Sequence, residues 1–282
     1  LHAVVASIVL FLGTMPAAFV LLDIELAYRV AATLLCTGLF SGTFVMLIER
    51  QQEQLALKER QRRDAMASAS HELRTPLATL MGQVDAMIDG IRPVDQNGLE
   101  RLSSNIDHIS RLVDDLFLLS QSDVQAVAFN IGNVSIAHLF RESETSSAIA
   151  LADKQLSVNV DVNPEHVVEA DSQRLRQVFD NLLSNCCRYS TSGGEIYVSS
   201  RAYGKHVVIN FADSGPGVSD VDLPLLFDRF YRVEKSRVRA AGGSGLGLSL
   251  VKVLIEGQGG TINAYHAREG GLGFEISLPK AP

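Results

Sequence analysis

Two long apolar stretches stand at the start of the chain. No Asp, Glu, Lys or Arg occurs in residues 1–22 ("LHAVVASIVLFLGTMPAAFVLL") or in residues 30–48 ("VAATLLCTGLFSGTFVMLI"). As helices they would be about 33 and 28 Å long, close to the ~30 Å hydrocarbon core of a bilayer. We therefore predict two transmembrane helices within residues 1–48. A signal peptide for the first stretch and a buried core helix for the second are the alternatives.

Basic residues favour one orientation of this pair. The connecting "DIELAYR" contains one Lys or Arg, whereas five follow the second stretch within residues 49–65. Cytoplasmic flanks carry the excess of Lys and Arg, so residue 49 onward is predicted to be cytoplasmic. Because only this short loop would face outward, we expect the stimulus to enter through the membrane, an intramembrane partner or the cytoplasmic helix.

Apolar residues recur at heptad spacing from residue 66 and predict a helical hairpin. Two series form a seam on the first helix: Met66, Leu73, Leu80 and Met87, then Leu77, Val84 and Ile91. After a turn-rich segment at 89–98 ("DGIRPVDQNG"), a second helix has three-four spacing at Leu99, Leu102, Ile106, Ile109, Val113 and Leu116. Two helices cannot bury all these rows alone, so the hairpin is predicted to dimerise into a four-helix bundle.

One histidine lies beside this seam. His71 follows Ser70, which opens the second series, and is therefore expected to point outward. Glu72 is adjacent, and Thr75 lies one turn away on the same face. Pro76 removes the backbone N–H that would bond the Glu72 carbonyl, so we expect the helix to bend or loosen there. The alternative is an ordinary solvated helix face.

From about residue 131 the chain changes to strand-like runs that alternate with helical stretches. The runs are "KQLSVNVDV", "GGEIYVSSRAY", "KHVVINFADS", "GGTINAYHA" and "GGLGFEISLP". They predict an α+β domain with an antiparallel or mixed sheet. A helix over 171–190 is predicted to begin after the N-cap Asp171. Its apolar positions should face the sheet: Leu175, Val178, Phe179, Leu182, Leu183 and Cys186.

The other face of that helix carries polar side chains. Asn181, Asn185 and Arg188 share one stripe at helical spacing. Amide oxygens and a guanidinium can hold a hydrated Mg²⁺ and anionic oxygens, since Mg²⁺ prefers oxygen ligands and keeps several waters. A polar solvent face is the alternative explanation of this stripe.

Glycine-rich segments follow on either side of a basic stretch. Asp213 ends a strand just before Gly215 and Gly217. Three more glycines precede an apolar helix, at Gly243, Gly245 and Gly247. Glycines let backbone N–H groups approach a ligand closely, and a helix N-terminus favours phosphate. The spacing is neither a Rossmann nor a P-loop signature. The intervening segment 226–242 is predicted to form a lid, with a solvated loop as the alternative.

Composition narrows the classes of function. The 282 residues suggest about two domains, and the net charge of −7 argues against nucleic acid as a partner. The three cysteines, Cys36 and the adjacent Cys186 and Cys187, form neither a disulfide framework nor a metal-binding spacing.

Five segments in one order resemble the boxes of a bacterial sensor histidine kinase. "SHELRTPL" resembles the H-box, which holds the phosphoacceptor histidine, and "DNLLSNCCRYS" resembles the N-box. "DSGPGV" and "GGSGLGLSLVKVLIEGQGG" are similar to the two glycine boxes, and "LFDRFYR" to the F-box. The resemblance covers roughly residues 60–280. It implies a dimeric helical hairpin joined to an ATP-binding α+β sandwich of the GHKL type.

The resemblance also implies roles for individual residues of the H-box. His71 would take the γ-phosphoryl group of ATP, and Glu72 would hold its imidazole in the attacking tautomer. Thr75 completes a Glu-x-x-Thr pattern that accompanies phosphatase activity in this family. Its alternative role is structural, since a residue that precedes proline is conformationally restricted.

For the nucleotide, the resemblance implies a second group of residues. Asn185 would ligate Mg²⁺, with Asn181 and Arg188 near the phosphates. Asp213 would accept a hydrogen bond from the adenine amino group, with Tyr189 beside the ring. Further contacts are expected from the glycine boxes and the lid, at Gly215, Gly217, Arg232, Gly243, Ser244, Gly245, Leu246 and Gly247.

The predicted protein is a multi-pass homodimer of the bacterial inner membrane with its kinase in the cytoplasm. Its parts are a transmembrane hairpin (1–48), a connecting helix (49–65), a dimerisation and phosphotransfer domain (66–125) and an ATP-binding domain (131–282). It would phosphorylate His71 from Mg-ATP, pass the phosphoryl group to an aspartate of a separate response regulator, and dephosphorylate that regulator. A GHKL-type ATPase without phosphotransfer and a membrane scaffold with a decayed kinase are the alternatives.

Overall fold

The chain forms two units, Leu1–Asp64 and Ala65–Pro282. The computed structural model describes residues 67–122, 128–233, 244–268 and 270–282, together with residues 33, 46, 48–53 and 56. The two apolar stretches predicted to span a membrane lie almost wholly outside these residues. Within the described part of the chain, no helix is both long and apolar enough to cross a membrane.

An antiparallel helical hairpin occupies the first part of the second unit. Residues 67–88 are helical (α1), and α2 spans Gln96–Ser122. Asp95 caps α2, because its carboxylate accepts a hydrogen bond from the Gly98 N–H at 2.7 Å. The Asn105 amide donates to Gln83 Oε1 at 3.0 Å and so joins the two helices. The helix α1 continues through Pro76 without interruption.

Each helix of the hairpin buries one apolar row and exposes another. The partly buried rows contain Leu73, Leu80 and Met87 on α1 and Leu102, Ile109 and Leu116 on α2. The exposed rows contain Leu77 and Val84 on α1 and Leu99, Ile106 and Val113 on α2. The heptad pattern therefore describes two surfaces, of which only the first is covered within one chain.

The second part of the unit is an α+β sandwich. Its strands are β1 (Gly132–Ser135), β2 (Ser157–Asp161), β3 (Val167–Ala170), β4 (Glu195–Tyr203), β5 (His206–Asp213), β6 (Thr261–His266) and β7 (Leu272–Pro279). Its helices are α3 (Ile136–Asp153), α4 (Ser172–Tyr189) and α5 (Gly247–Glu256), with a 3₁₀ turn at Leu223–Leu225.

Five strands form a mixed sheet in the order β2-β4-β5-β7-β6. Only β2 and β4 pair in parallel, and the other neighbours are antiparallel. The five runs predicted as strands are these five strands, so the mixed sheet is confirmed. The small antiparallel pair β1-β3 was not predicted from the sequence. Aromatic side chains join helices and sheet, with the Phe140 ring 5.7 Å from Phe179 and 6.0 Å from Phe211.

The hairpin contacts the sandwich through the C-terminal half of α2. Leu112, Leu118 and Leu119 are buried there in a continuous apolar core. Hydrogen bonds border this patch. The Gln177 amide of α4 donates to Asp115 Oδ1 at 3.3 Å, and Arg229 donates to the Leu119 carbonyl at 3.0 Å.

Asp115 is a partly buried carboxyl group at this contact. Burial, and then the charge of Asp114, raise the pKa of Asp115 to about 6, against the lowering effects of Arg111 and the Gln177 hydrogen bond. A carboxyl group with a raised pKa costs stability wherever it is ionised, so its penalty is present above pH 6 and fades as the pH falls.

We predict that Asp115→Asn stabilises the protein near neutral pH. The free energy of unfolding should rise by about 1 kcal/mol at about pH 7.5, a value reduced for the partial exposure of the group. The gain should vanish below about pH 4, where the parent carboxyl is protonated in both states. Chemical denaturation at several pH values measures the difference. Asp107→Asn, on an exposed face of α2, is the control, and an equal gain there would contradict the assignment.

Candidate functional site

The helix α4 orients the predicted polar stripe. Asp171 caps its N-terminus as predicted, because the carboxylate accepts hydrogen bonds from the N–H groups of Gln173 and Arg174 at 3.0 and 3.1 Å. The six apolar positions predicted to face the sheet are all buried: Leu175, Val178, Phe179, Leu182, Leu183 and Cys186. With that face buried, the stripe of Asn181, Asn185 and Arg188 is left partly exposed on another face.

Asn181 lies directly against the second glycine segment. Its side-chain amide donates to the Gln177 carbonyl at 2.9 Å. Its Oδ1 lies 3.2 Å from the position that a Cβ would take on Gly247. The N-terminus of α5 therefore approaches the polar stripe closely, and glycine at 247 leaves that approach open.

Asn185 fits the role of a Mg²⁺ ligand. Its side chain is partly exposed, and no hydrogen bond from the described residues occupies its amide oxygen. The described part of the chain also contains no cluster of three or more His, Cys, Asp or Glu that could hold a metal. Mg²⁺ commonly binds through one or two protein oxygens, several waters and the phosphates of a substrate, and a single amide suits that mode.

Asp213 ends β5 in a cradle made of glycine. Only 7% of its surface is exposed. Its Oδ1 accepts from the Gly215 N–H at 2.7 Å, and a Cβ on either Gly215 or Gly271 would come within 2.6 Å of this oxygen. Burial raises the pKa of Asp213, while the backbone N–H groups of Gly215 and Leu272 lower it. Because Gly215 and Gly271 have no side chains, the recessed Asp213 carboxylate stays uncovered. Such a carboxylate is suited to bind a flat polar group.

Tyr189 lies beside this cradle. It is the last residue of α4 and is 43% exposed. The Tyr189 carbonyl and the Ser190 Cα each lie 3.4 Å from the position of a Cβ on Gly215. The structure therefore brings the end of α4 and the Asp213 turn together, as the sequence-based site requires.

The second glycine segment packs on the F-box through backbone atoms. Gly245 has φ +67°, and a Cβ there would lie 2.8 Å from the Cα of Phe230. The Phe230 N–H donates to the Gly245 carbonyl at 3.0 Å. Ser244 Oγ accepts from the Leu246 N–H at 3.3 Å, so the turn before α5 is held by its own side chain.

The structure describes only some of the remaining residues that were predicted to contact the nucleotide. Gly217 has φ +64°, and a Cβ there would lie 3.0 Å from the Gly270 carbonyl. Arg232 is exposed. Gly243 and residues 234–242 of the predicted lid lie outside the described residues.

The phosphoacceptor candidate lies on the exposed side of α1. His71 is exposed, as predicted, and the described residues give its imidazole no hydrogen-bond partner. Thr75 Oγ1 reaches back to the His71 carbonyl at 3.5 Å, the upper end of hydrogen-bond length. Thr79 makes the same type of bond to the Thr75 carbonyl at 3.1 Å.

Two features near the site were missed from the sequence. Lys154 Nζ donates to the carbonyl oxygens of Ser190 and Arg188 at 3.1 and 3.5 Å. The hydrogen bond between Asp115 and Gln177 was also missed. Neither contact has a local sequence signal, because each joins residues more than thirty positions apart.

A groove of about 730 Å³ lies on the outer face of the sheet, away from the helices. Tyr197, Arg201, Asn210, Tyr265 and Glu275 are among its lining residues. None of the predicted site residues lines it, so the groove is separate from the site.

Two family models match the chain. The His Kinase A (phospho-acceptor) domain matches residues 61–125, which include His71. The Histidine kinase-, DNA gyrase B-, and HSP90-like ATPase matches residues 170–282, which include Asn181, Asn185 and Asp213.

Curated sensor proteins are similar to most of this chain. The signal transduction histidine-protein kinase BaeS of Escherichia coli strain K12 is 41% identical over 225 residues, covering 80% of this chain and 48% of BaeS. The sensor protein SphS of Synechococcus elongatus is 33% identical over 252 residues, covering 86% of this chain and 61% of SphS. This chain thus spans about half to three fifths of the length of these curated relatives.

A solved structure agrees with the fold. The Acinetobacter baumannii histidine kinase AdeS matches with a TM-score of 0.63 and 27% identity, over 75% of this chain and 98% of that structure. The helical hairpin and the GHKL-type sandwich are therefore confirmed. The chain belongs to the bacterial sensor histidine kinase family, as its five boxes predict.

Proposed function

We propose that this protein phosphorylates His71 from Mg-ATP and passes the phosphoryl group to an aspartate of a separate response regulator. The observation that carries the proposal is an exposed imidazole on a hairpin that belongs to the same unit as the Asn185 and Asp213 site. A nucleophile needs access to the γ-phosphate, and the nucleotide needs an anchor for its base and its metal.

The transfer step requires mainly positioning and charge neutralisation. A lone pair on the His71 imidazole forms a bond to the γ-phosphorus, and the bond from that phosphorus to the β-phosphate oxygen breaks as ADP leaves. Asn185 would hold Mg²⁺, which supplies charge neutralisation at the phosphates. Asn181, Arg188 and the start of α5 would surround the phosphate chain.

Two neighbours of His71 are assigned supporting roles. Glu72 would accept from one ring N–H and leave the other nitrogen free to attack. Thr75 would orient a water toward the aspartyl phosphate of a docked regulator and so support its dephosphorylation. The exposed position of Thr75, one turn from His71, supports this assignment.

The exposed apolar row of the hairpin supports a homodimer. Side chains such as Leu77, Ile106 and Val113 are about half exposed along one face. A second copy would cover this row and complete a four-helix bundle. We also propose that the apolar stretches 1–22 and 30–48 anchor the protein in the bacterial inner membrane, with residue 49 onward in the cytoplasm.

His71→Gln is expected to abolish labelling of the protein by γ-labelled ATP, a loss of at least about hundredfold, because no nucleophile remains in the H-box. Binding of ADP should be unchanged. Acid-labile, base-stable label measures the product. The control is His138→Gln, which removes another exposed imidazole. Undiminished labelling of the His71 variant would contradict the assignment of His71 as the phosphoacceptor. ATP hydrolysis without any labelled protein would favour the alternative, a GHKL-type ATPase without phosphotransfer.

Asn185→Ala is expected to lower Mg²⁺-dependent labelling by about hundredfold or more, because loss of the metal removes several kcal/mol of charge stabilisation. Titration of Mg²⁺ against bound nucleotide should show weaker metal binding. Asn263→Ala, at an exposed position of β6, is the matched control. Retention of parental Mg²⁺ dependence in Asn185→Ala would refute the ligand role.

Thr75→Ala is expected to slow dephosphorylation of the regulator by about tenfold, the value of one hydrogen bond in a transition state, with autophosphorylation largely kept. The matched control is Thr79→Ala, which loses the same type of bond to a carbonyl one turn back. Equal losses of both activities in the Thr75 variant would instead assign Thr75 a structural role.

A further inference from the structure

Lys154 joins the end of one helix to the end of another. It is the C-cap residue of α3. Its ammonium donates to the Ser190 carbonyl at 3.1 Å and to the Arg188 carbonyl at 3.5 Å, both at the C-terminus of α4. Its own carbonyl accepts from the Gly193 N–H at 3.0 Å. Side chain and backbone of one lysine therefore hold both sides of the turn that leaves α4.

The electrostatics of this contact are favourable. The last carbonyls of a helix have no partner within the helix and carry the negative end of its dipole. A lysine ammonium there forms charge-assisted hydrogen bonds and compensates the dipole. Lys154 is partly buried, so water competes less for these carbonyls than on an open surface.

The segment held by Lys154 is the base-proximal end of the candidate nucleotide site. The Tyr189 carbonyl and the Ser190 Cα pack against Gly215, with 3.4 Å to the position of a Cβ. Gly215 in turn donates its N–H to Asp213. The last turn of α4 thus lies between the lysine on one side and the Asp213 cradle on the other.

We propose that Lys154 is a positioning residue for the nucleotide. Its ammonium fixes the last turn of α4, so that Arg188 and Tyr189 project from a defined backbone toward the phosphates and the base. Lys154 itself acts through these backbone carbonyls and is not assigned any contact with ATP. This inference rests on the proposed function, because it assumes that the site binds an adenine nucleotide.

Loss of the ammonium should affect binding more than transfer. In Lys154→Met the carbonyls of Arg188 and Ser190 lose their charged donor, and the last turn of α4 can fray. The affinity for ADP should then fall by about tenfold. This factor corresponds to the loss of one charge-assisted hydrogen bond, which weakens nucleotide binding by letting Arg188 and Tyr189 shift. The rate constant of labelling at saturating ATP should stay within about twofold, since His71 and Asn185 are untouched.

The experiment compares the parent with three Lys154 variants and one control variant in the full chain, at a temperature well below every midpoint of unfolding. The Kd for ADP and the rate of His71 labelling are measured for parent, Lys154→Met, Lys154→Arg and Lys154→Gln. The arginine variant keeps a cation and should bind ADP within about threefold of the parent. The glutamine variant keeps a neutral donor and should be intermediate, which provides a readout even where Lys154→Met folds poorly. Lys205→Met, in the β4–β5 turn, controls for the loss of one positive charge.

The outcomes are distinct. A weaker Kd in Lys154→Met with a retained saturating rate and rescue by arginine supports the inference. A parental Kd in folded Lys154→Met or Lys154→Gln overturns it, as does an equal loss in Lys205→Met. A parent that binds ADP but is not labelled at His71 contradicts the phosphotransfer function alone. A parent that does not bind ADP contradicts both.

Discussion

The orientation of α4 is the constraint on which the site depends. One face of this helix is fully buried against the sheet, with Leu175, Phe179 and Leu182 among residues without exposed surface. Rotation about the helix axis would expose that face, at a cost of roughly 1.5–3 kcal/mol for each large side chain. Asp171 satisfies the free N–H groups at one end, and Lys154 satisfies carbonyls at the other. Because the rotation of α4 about its axis and the positions of both its ends are fixed, the polar stripe can face only one direction.

Around α4 the site is shaped by glycine residues, which lack a side chain. Gly247 lets the start of α5 approach Asn181, and Gly215 and Gly271 leave the Asp213 carboxylate accessible at the bottom of a cradle. At Gly245 both the positive φ and the 2.8 Å approach to the Phe230 Cα exclude a side chain. The glycine boxes therefore serve close packing of backbone as much as flexibility.

Local patterns made much of this architecture predictable. The burial of one face of α4 and the N-cap at Asp171 follow from periodicity and capping chemistry within twenty residues of chain. The five main strands follow from alternation and bounding turns. The pair β1-β3, the Lys154 clamp and the hydrogen bond from Gln177 to Asp115 depend on residues far apart in sequence. Such contacts are decided by tertiary packing, which single-sequence patterns do not encode.

The register of the hairpin sets the height of His71 relative to the contact between α2 and the sandwich. The hydrogen bond between Asn105 and Gln83 sets two antiparallel helices of equal rise side by side. His71 lies twelve residues before Gln83 on α1, and Phe117 lies twelve residues after Asn105 on α2. Because the helices are antiparallel, His71 is therefore level with Phe117. The buried contact between α2 and the sandwich, centred on Leu118 and Leu119, lies at this same height. For the proposed phosphotransfer, the nucleotide would therefore approach His71 mainly by movement around the hairpin axis.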